Sequence, residues 1–172
     1  MRLLIDSLVA VMLTALLAAI ILEHRSDKER YRDVEVATVD LHRLQREIYL
    51  QGAIGSVPLS ERGFPITVDP EWFPGGLPRN PLLGPDHPWL EVAGASQQHL
   101  SHPPQRMAAD RSIAKFWYNP YQGTVRARIS SEMSEDEALA LYNQINGCRL
   151  PHLFGEEPKT PALAMQASAA LN

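Results

Sequence analysis

The stretch LLIDSLVAVMLTALLAAIIL, residues 3–22, decides how the rest of the chain is arranged. It is apolar except for Asp6, Ser7 and Thr14. In a helix with a rise of about 1.5 Å per residue, a stretch of this length covers about 30 Å, which is the thickness of a bilayer's hydrocarbon core. The sequence therefore predicts a transmembrane anchor over residues 1–22.

The helix is expected to run on past the anchor, because residues 1–51 contain neither glycine nor proline. All 10 Gly and all 14 Pro lie from Gly52 onward. A run without helix breakers predicts one continuous helix or two joined end to end. We expect residues 23–51 to form an amphipathic helical stalk that ends at Gly52 or Gly55, where glycine can take the left-handed capping conformation.

One face of the stalk carries an apolar stripe with spacings of three and four, formed by Val34, Ala37, Leu41, Leu44 and Ile48. The stripe has two explanations. It packs on the protein's own domain, or it forms an assembly contact in which Val34, Leu41, Leu44 and Ile48 meet a partner in a coiled coil. Only about two heptads are available, which is short for a coiled coil, so packing on the domain is favoured.

The anchor is expected to stay attached. Its apolar run exceeds the about 7–15 residues of a signal-peptide core, and no small-x-small cleavage site precedes Glu23. The flank at residues 23–33 carries four basic and four acidic residues. By the positive-inside rule, the basic residues alone favour a cytoplasmic location for that flank.

Asp6 is the acidic residue within the apolar run. A carboxylate at the bilayer centre costs about 2.5–3.5 kcal/mol, and less near the edge. Asp6 therefore either marks the start of the helix at the interface or makes an assembly contact with a cation of a neighbouring subunit.

The part of the chain outside the anchor is acidic and small. Residues 1–22 contain one Arg and one Asp, which cancel, so the whole net charge of −4 of this 172-residue chain lies beyond them. A nucleic-acid binder would present a basic face, so no nucleic-acid partner is predicted. Cys148 is the only cysteine, which excludes an intrachain disulfide. Residues 52–149 suffice for one small domain with its own core.

An antiparallel hairpin is the clearest sheet signal. Residues 113–118 (IAKFWY) and 124–129 (TVRARI) are rich in β-branched and aromatic residues, and a short connection ending in glycine joins them. Residues 89–92 (WLEV) predict one more strand. Arg126 and Arg128 alternate with apolar residues, so we expect one buried face and one solvated face that carries both arginines.

Three flanking segments complete the prediction. Residues 57–88 read as an ordered loop whose interleaved aromatics pack on the helix or sheet. Ser134 begins a capping box and Gly147 follows it, which predicts a short C-terminal helix between them. Residues 150–172 predict a flexible tail. The fold class is thus α+β: a transmembrane helix continuing into an amphipathic helix, packed on a small antiparallel sheet, with a short C-terminal helix.

No residue pattern in the chain predicts catalysis or a bound cofactor. The sequence has no nucleophile elbow, no P-loop and no dinucleotide fingerprint. Cys148 follows a helix C-terminus, whose dipole disfavours a thiolate. Trp117 and Tyr118 predict packing rather than a ligand platform. We therefore expect no enzyme and no cofactor.

Two groups of residues are candidate metal ligands. His87, His99 and His102 lie close together, but without cysteine and at spacings that match no established zinc site. Loop oxygens would allow a calcium ion, although no regular calcium loop is present; they belong to Asp69, Glu71, Asp86 and Asp110. No metal is predicted.

Three segments resemble the type IV pilin and type II secretion pseudopilin family. Residues 3–11 (LLIDSLVAV) resemble the family's apolar opening with one acid near the front, and Asp6 falls at or next to the place of its glutamate. Residues 116–129 (FWYNPYQGTVRARI) are similar to the hairpin of bacterial pilin-like proteins. Residues 137–147 (EALALYNQING) look like the C-terminal helix of some members.

The chain also departs from the family. Members are processed after a glycine that precedes the mature helix, and this chain has none before Gly52. Leader cleavage of that kind is therefore not expected, unless Met1 is already the mature end. The proline that kinks the family's helix near the end of the membrane segment is absent as well.

The resemblance implies a structural subunit of an inner-membrane secretion or pilus apparatus. It implies a bacterial inner-membrane protein with a single pass and a periplasmic C-terminal domain, against the charge count of the flank. Its partners would be the lipid bilayer and other membrane subunits, reached through the N-terminal helix, with a homo-oligomer among the options. The alternative is a single-pass accessory subunit or anchored interaction module of another membrane complex.

Overall fold

The computed structural model describes residues 2–154, and the side chains of residues 11–25 and 28–154. Helix α1 spans Arg2–Ile54 as 53 residues without a break, which confirms the predicted continuous helix. At about 1.5 Å per residue it is about 80 Å long. It ends where expected, since Gly55 has a φ of 69° and its N–H donates to the carbonyl of Gln51 at 3.1 Å.

Five short strands form two small sheets. Strands β1 (Leu90–Val92), β3 (Phe116–Asn119) and β4 (Thr124–Ala127) lie in the order β1-β3-β4. Strand β2 (Met107–Ala108) pairs with β5 (Ile129–Ser130). All three segments predicted as strands thus contain strands, and β2 lies outside them.

The hairpin prediction is confirmed, whereas the prediction of an antiparallel sheet is wrong in part. Strands β3 and β4 pair antiparallel, with Phe116 opposite Ala127. Strand β1 runs parallel to β3, and β2 runs parallel to β5, so the architecture is mixed. Parallel neighbours need a crossover of about a dozen residues or more. The long connection at residues 93–115 supplies it between β1 and β3, so that β3 can run parallel to β1.

The core lies between the second half of α1, the hairpin and the C-terminal helix. The five stripe residues are all buried, at 0–8% exposure; they are Val34, Ala37, Leu41, Leu44 and Ile48. They belong to one cluster with apolar residues of the hairpin, such as Phe116 and Val125. Of the two explanations for the stripe, the structure has packing on the domain. Val34, Leu41, Leu44 and Ile48, the residues predicted as partner contacts, are buried within the domain in this arrangement.

Helix α2 spans Glu135–Asn146 and is capped at both ends as predicted. The Ser134 hydroxyl accepts from the N–H of Glu137 at 3.4 Å. After the last turn, Gly147 takes the left-handed conformation, with φ 58° and ψ 37°. The buried face of α2 joins the core through Tyr142 and Ile145, so the helix braces the packed half of α1 from one side.

The proline-rich loop is ordered by its aromatic residues, as predicted. Phe73 is buried and meets Trp89 edge to face, with ring centres 5.6 Å apart. The guanidinium of Arg43, on α1, lies over the Phe73 ring at 5.5 Å. The indole N–H of Trp89 donates to the carbonyl of Pro78 at 3.1 Å. These contacts fix the loop against the helix.

The first residues of the predicted tail pack on the domain. Leu153 is 1% exposed and joins the core cluster, and the guanidinium of Arg106 donates to its carbonyl. The N–H of Leu150 donates to the side-chain oxygen of Asn143 at 2.8 Å. The rest of the predicted flexible tail, residues 155–172, lies outside the described residues.

Candidate assembly helix

The first half of α1 carries a collar of apolar side chains that nothing in the described chain covers. Eight large apolar residues between positions 11 and 22 are 54–65% exposed, namely Val11, Met12, Leu13, Leu16, Leu17, Ile20, Ile21 and Leu22. Consecutive residues are included, so the helix is apolar on all sides. The segment at residues 11–22 contains one hydroxyl, that of Thr14, which donates a hydrogen bond to the carbonyl of Val11 in the same helix at 2.9 Å.

A search of the described residues found no helix both long and apolar enough to cross a membrane. The side chains of residues 2–10, which include Asp6 and begin the predicted anchor, lie outside the described ones. The predicted contact of Asp6 therefore remains a prediction. The collar at 11–22 is the part of the predicted anchor whose side chains can be placed.

The face of the hairpin opposite the core is not solvated, and the prediction for Arg128 is wrong. Arg128 is 2% exposed and pairs with Glu91 of β1 at 2.6 Å. Its guanidinium also donates to the carbonyls of Gln105 and Ala114, at 2.8 and 3.1 Å. A buried guanidinium is tolerated here because its donors and its charge are matched.

The segment between β1 and β3 covers this face. Arg126, half-buried, donates to the carbonyl of Ser101 at 3.1 Å. The indole N–H of Trp117 donates to the side-chain oxygen of Gln97 at 3.2 Å. The side-chain amide of Asn119 bonds three carbonyls of the segment at 2.8–3.2 Å, those of Gln97, Gln98 and Leu100. Trp117 and Tyr118 are both fully buried, as the packing prediction required.

The three histidines weighed as metal ligands have separate surroundings. His102 is buried and shares a hydrogen bond of 3.0 Å with the Tyr142 hydroxyl. Burial, together with the nearby charges of Arg126 and Arg106, lowers the pKa of His102 to about 4. His87 donates from Nδ1 to the carbonyl of Ile113 at 2.9 Å. His99 is exposed.

The loop acids weighed as calcium ligands are held locally. Asp69 accepts from the N–H of Glu71 at 2.9 Å and caps a short 3₁₀ turn. Asp86 pairs with Arg111 at 3.4 Å. Asp110 accepts from the hydroxyl and N–H of Ser112, which lowers the pKa of its carboxyl. Within residues 11–25 and 28–154, no three His, Cys, Asp or Glu residues are grouped so as to hold a metal ion.

Two asparagine side chains have structural roles that the sequence did not predict. Asn146, in the last turn of α2, exchanges two hydrogen bonds with the backbone of Ala127, at 2.8 and 3.0 Å, and so continues the sheet beyond β4. Asn80 donates to the carbonyls of Lys115 and Arg128 at 3.2 and 2.7 Å. An asparagine at a helix end or in a proline-rich turn also suits capping, so the sequence carries no signal for these bonds.

Cys148 is half-buried, and its thiol donates to the side-chain oxygen of Asn143 at 3.2 Å. Burial raises the pKa of this thiol, so the thiolate is disfavoured. This agrees with the expectation that the residue is unreactive.

Comparisons of the chain with protein-family models, with curated proteins and with solved structures found no match. The function therefore has to be inferred from the chain's own residues. The feature that most needs a partner is the apolar collar of α1.

Proposed function

We propose that this protein is a pilin-like or pseudopilin-like structural subunit of an inner-membrane secretion or pilus apparatus. The observation that carries the proposal is the division of α1. Its second half, with Leu44 and Ile48, is the core of the domain, and its first half, at residues 11–22, displays apolar side chains on all sides. One helix thus joins a folded domain to a segment that needs apolar surroundings.

Lipid and neighbouring helices are the surroundings that suit the collar. Apolar surface in water is unfavourable by roughly 25 cal/mol per Å², and a helix that is apolar all round is typical of a buried or membrane-embedded position. In the proposed arrangement the collar lies in the inner membrane together with residues 3–10. The domain then stands on the periplasmic side, held by an unbroken helix.

Asp6 would set the axial register between subunits. A carboxylate within an apolar segment is stabilised when a cation approaches it, and a free amine or an arginine of a neighbouring subunit supplies one. Because only one acid lies in residues 3–22, such a contact would hold each subunit at one height. The proposal therefore assigns Asp6 an assembly role and no role in folding.

The test compares Asp6→Ala with the wild-type chain in bacterial inner membranes. We expect both chains to resist extraction by alkaline carbonate and the variant to lose chemical cross-links between copies or to other subunits. Asp33→Ala is the matched control, because it removes a carboxylate from the same helix outside the apolar stretch. Trp fluorescence of the domain should be identical in all three chains.

Two results would count against the proposal. Extraction of the wild-type chain by carbonate would contradict the proposed location in the membrane. Cross-links that persist unchanged in Asp6→Ala would contradict the proposed contact of Asp6 between subunits. The accessory-subunit alternative would be favoured by a stalk with an exposed stripe, and the stripe of α1 is buried in the domain.

A further inference from the structure

The face of α1 that points away from the core carries a second stripe with its own chemistry. Nine residues recur at spacings of three and four from position 25 to 54: Arg25, Lys28, Arg32, Val36, Val39, Arg43, Arg46, Leu50 and Ile54. At 100° per residue they fall within one narrow sector, about half a turn from the buried stripe. We call this set the back stripe. Its residues are exposed except Val36 and Arg43, which are half-buried.

The back stripe is cationic. It holds five Lys or Arg residues and no acid, while Glu29, Glu35 and Glu47 border it. Arg43 rests on the Phe73 ring. Its other four cations form no ion pair with any side chain that the structure describes. Like charges in a row are mutually unfavourable, so an acidic partner would stabilise them.

The chain carries a complementary patch at the start of α2. Glu132, Glu135 and Asp136 are exposed, and within the described part of the chain none is in an ion pair. The adjacent Glu137 is paired with Arg30 of α1. We call the three unpaired acids the acidic patch.

The two patches lie at one height, with the start of α2 on the core side of α1 and the three cations on the far side of that helix. The pair between Arg30 and Glu137, with the contact of Arg30 to Met133 at 4.0 Å, sets the start of α2 level with residue 30. Arg25, Lys28 and Arg32 are within five residues of that level, or about 7.5 Å along the helix axis. Arg30 points to the core side, and these three point away from it.

We propose that copies of this chain stand side by side, with Arg25, Lys28 and Arg32 of one copy facing the acidic patch of the next. The inference rests on the proposed function, because parallel copies anchored in one membrane have their patches at equal height. The contact joins different surfaces, so it repeats from copy to copy in a ring or an open row. A lipid surface would meet only the near end of the back stripe, which runs along the helix axis for about 44 Å, away from the membrane.

The test uses two charge-reversed full-length chains reconstituted in phosphatidylcholine vesicles, whose lipids carry no net charge. One chain carries Arg25→Glu, Lys28→Glu and Arg32→Glu, and the other carries Glu132→Lys, Glu135→Lys and Asp136→Lys. Energy transfer between labels at the C-terminal end reports association. Each variant alone brings like charges together and should need about tenfold more protein per lipid for half-maximal transfer.

An equal mixture of the two variants should recover the wild-type signal, because each one then meets a complementary surface. A folding defect in either variant cannot produce this recovery. Arg46→Glu is the control on the same stripe, because it lies 16 residues from Arg30 and above the acidic patch. It should leave association unchanged.

The outcomes separate the two proposals. Strong transfer that is the same in wild-type and both variants would overturn the side-by-side contact and leave the proposed function standing. Loss in each variant without recovery in the mixture would also overturn the contact. Wild-type chains that show no transfer at all would overturn the side-by-side contact alone, because the proposed function is tested separately by carbonate extraction and by the cross-links of Asp6→Ala.

Discussion

The two halves of α1 share one backbone and differ in where their apolar side chains point. Between positions 34 and 48, five apolar residues lie on one line, and all are at most 8% exposed. Between positions 11 and 22, eight large apolar residues lie on every side, and none is less than 54% exposed. A single line indicates a partner on one side, which the chain itself supplies. Apolar residues all round favour apolar surroundings, which the described part of the chain does not supply.

The difference teaches that the energetic role of a leucine in this helix depends on its position along it. In the packed half, a leucine contributes to the free energy of unfolding of the domain. In the exposed half, it contributes to the free energy of transfer into an apolar environment. Substitutions of the same kind in the two halves should therefore change different measurements.

The largest expected effect is that of Leu44→Ala, which removes a fully buried side chain. A truncation of this kind costs about 2–5 kcal/mol, from lost burial and the cavity left behind. Urea unfolding followed by Trp fluorescence should show it, since Trp72, Trp89 and Trp117 all lie in the domain. The matched Leu17→Ala should change this free energy by less than about 0.5 kcal/mol and weaken membrane partitioning instead. Equal losses in both variants would erase the distinction between the halves.

The next effect is a pH dependence confined to the domain. His102 has its pKa lowered to about 4, from 6.5, by burial and two nearby arginines. The unfolded chain therefore takes up the proton first, so the domain loses stability as pH falls from 6.5 to 4, and this group adds no dependence above that window. The loss is up to about 3 kcal/mol at 1.36 kcal/mol per pKa unit.

Urea unfolding of the wild-type chain and of His102→Gln at pH 7, 5.5 and 4.5 measures this effect. The difference between the two chains isolates the histidine, because the carboxylates are common to both. As the pH falls, the free energy of unfolding should decrease more for the wild-type chain than for His102→Gln. Parallel pH profiles would show that His102 is not held neutral by its surroundings.

A smaller effect is expected at the end of α2, which braces the packed half. Gly147 has a φ of 58°, where a side chain is disfavoured, so Gly147→Ala should cost about 1 kcal/mol. Gly84→Ala is the control, because a Cβ there meets no atom within 4 Å and its φ is not in the left-handed region. A thermal shift for the first variant alone would fit this account, and an equal shift for both would contradict it.

The smallest effect concerns Arg43, which lies over the Phe73 ring. Arg43→Ala should cost about 0.5–1 kcal/mol, as expected for an exposed or half-buried cation–π contact. Arg46→Ala removes an exposed arginine that makes no hydrogen bond or ion pair within the described chain, and it should change nothing measurable in urea unfolding. If the two variants unfold alike, the proline-rich loop gains no stability from Arg43.

The sequence was sufficient for the packed half because spacing alone identifies a helix face. Val34 to Ile48 alternate by three and four among charged residues, and only one side can be buried. The caps of α2 were equally readable, since Ser134 and Gly147 act on their own neighbours. Interactions that are local in the chain were thus predictable. The collar at residues 11–22 was visible for the same reason, as an apolar run.

The covered face of the hairpin was not predictable from spacing. Alternation along β4 shows that Arg126 and Arg128 share a side, but it does not show whether another segment covers that side. The covering segment, residues 94–110, is polar, and it bonds to the face through its own backbone carbonyls. Any sequence supplies carbonyls, so composition gave no sign of them. The parallel direction of β1 depends on the same segment.

Because α1 is unbroken, the number of residues in it sets the orientation of the domain relative to the first half of the helix. Each residue turns a helix by 100° and advances it by about 1.5 Å, so the number of residues between position 22 and position 34 sets the direction in which the domain points. One inserted residue would swing it by about 100°, and seven would bring it back to within about 20°. In a row of copies, the length of this segment would decide which neighbour each domain faces.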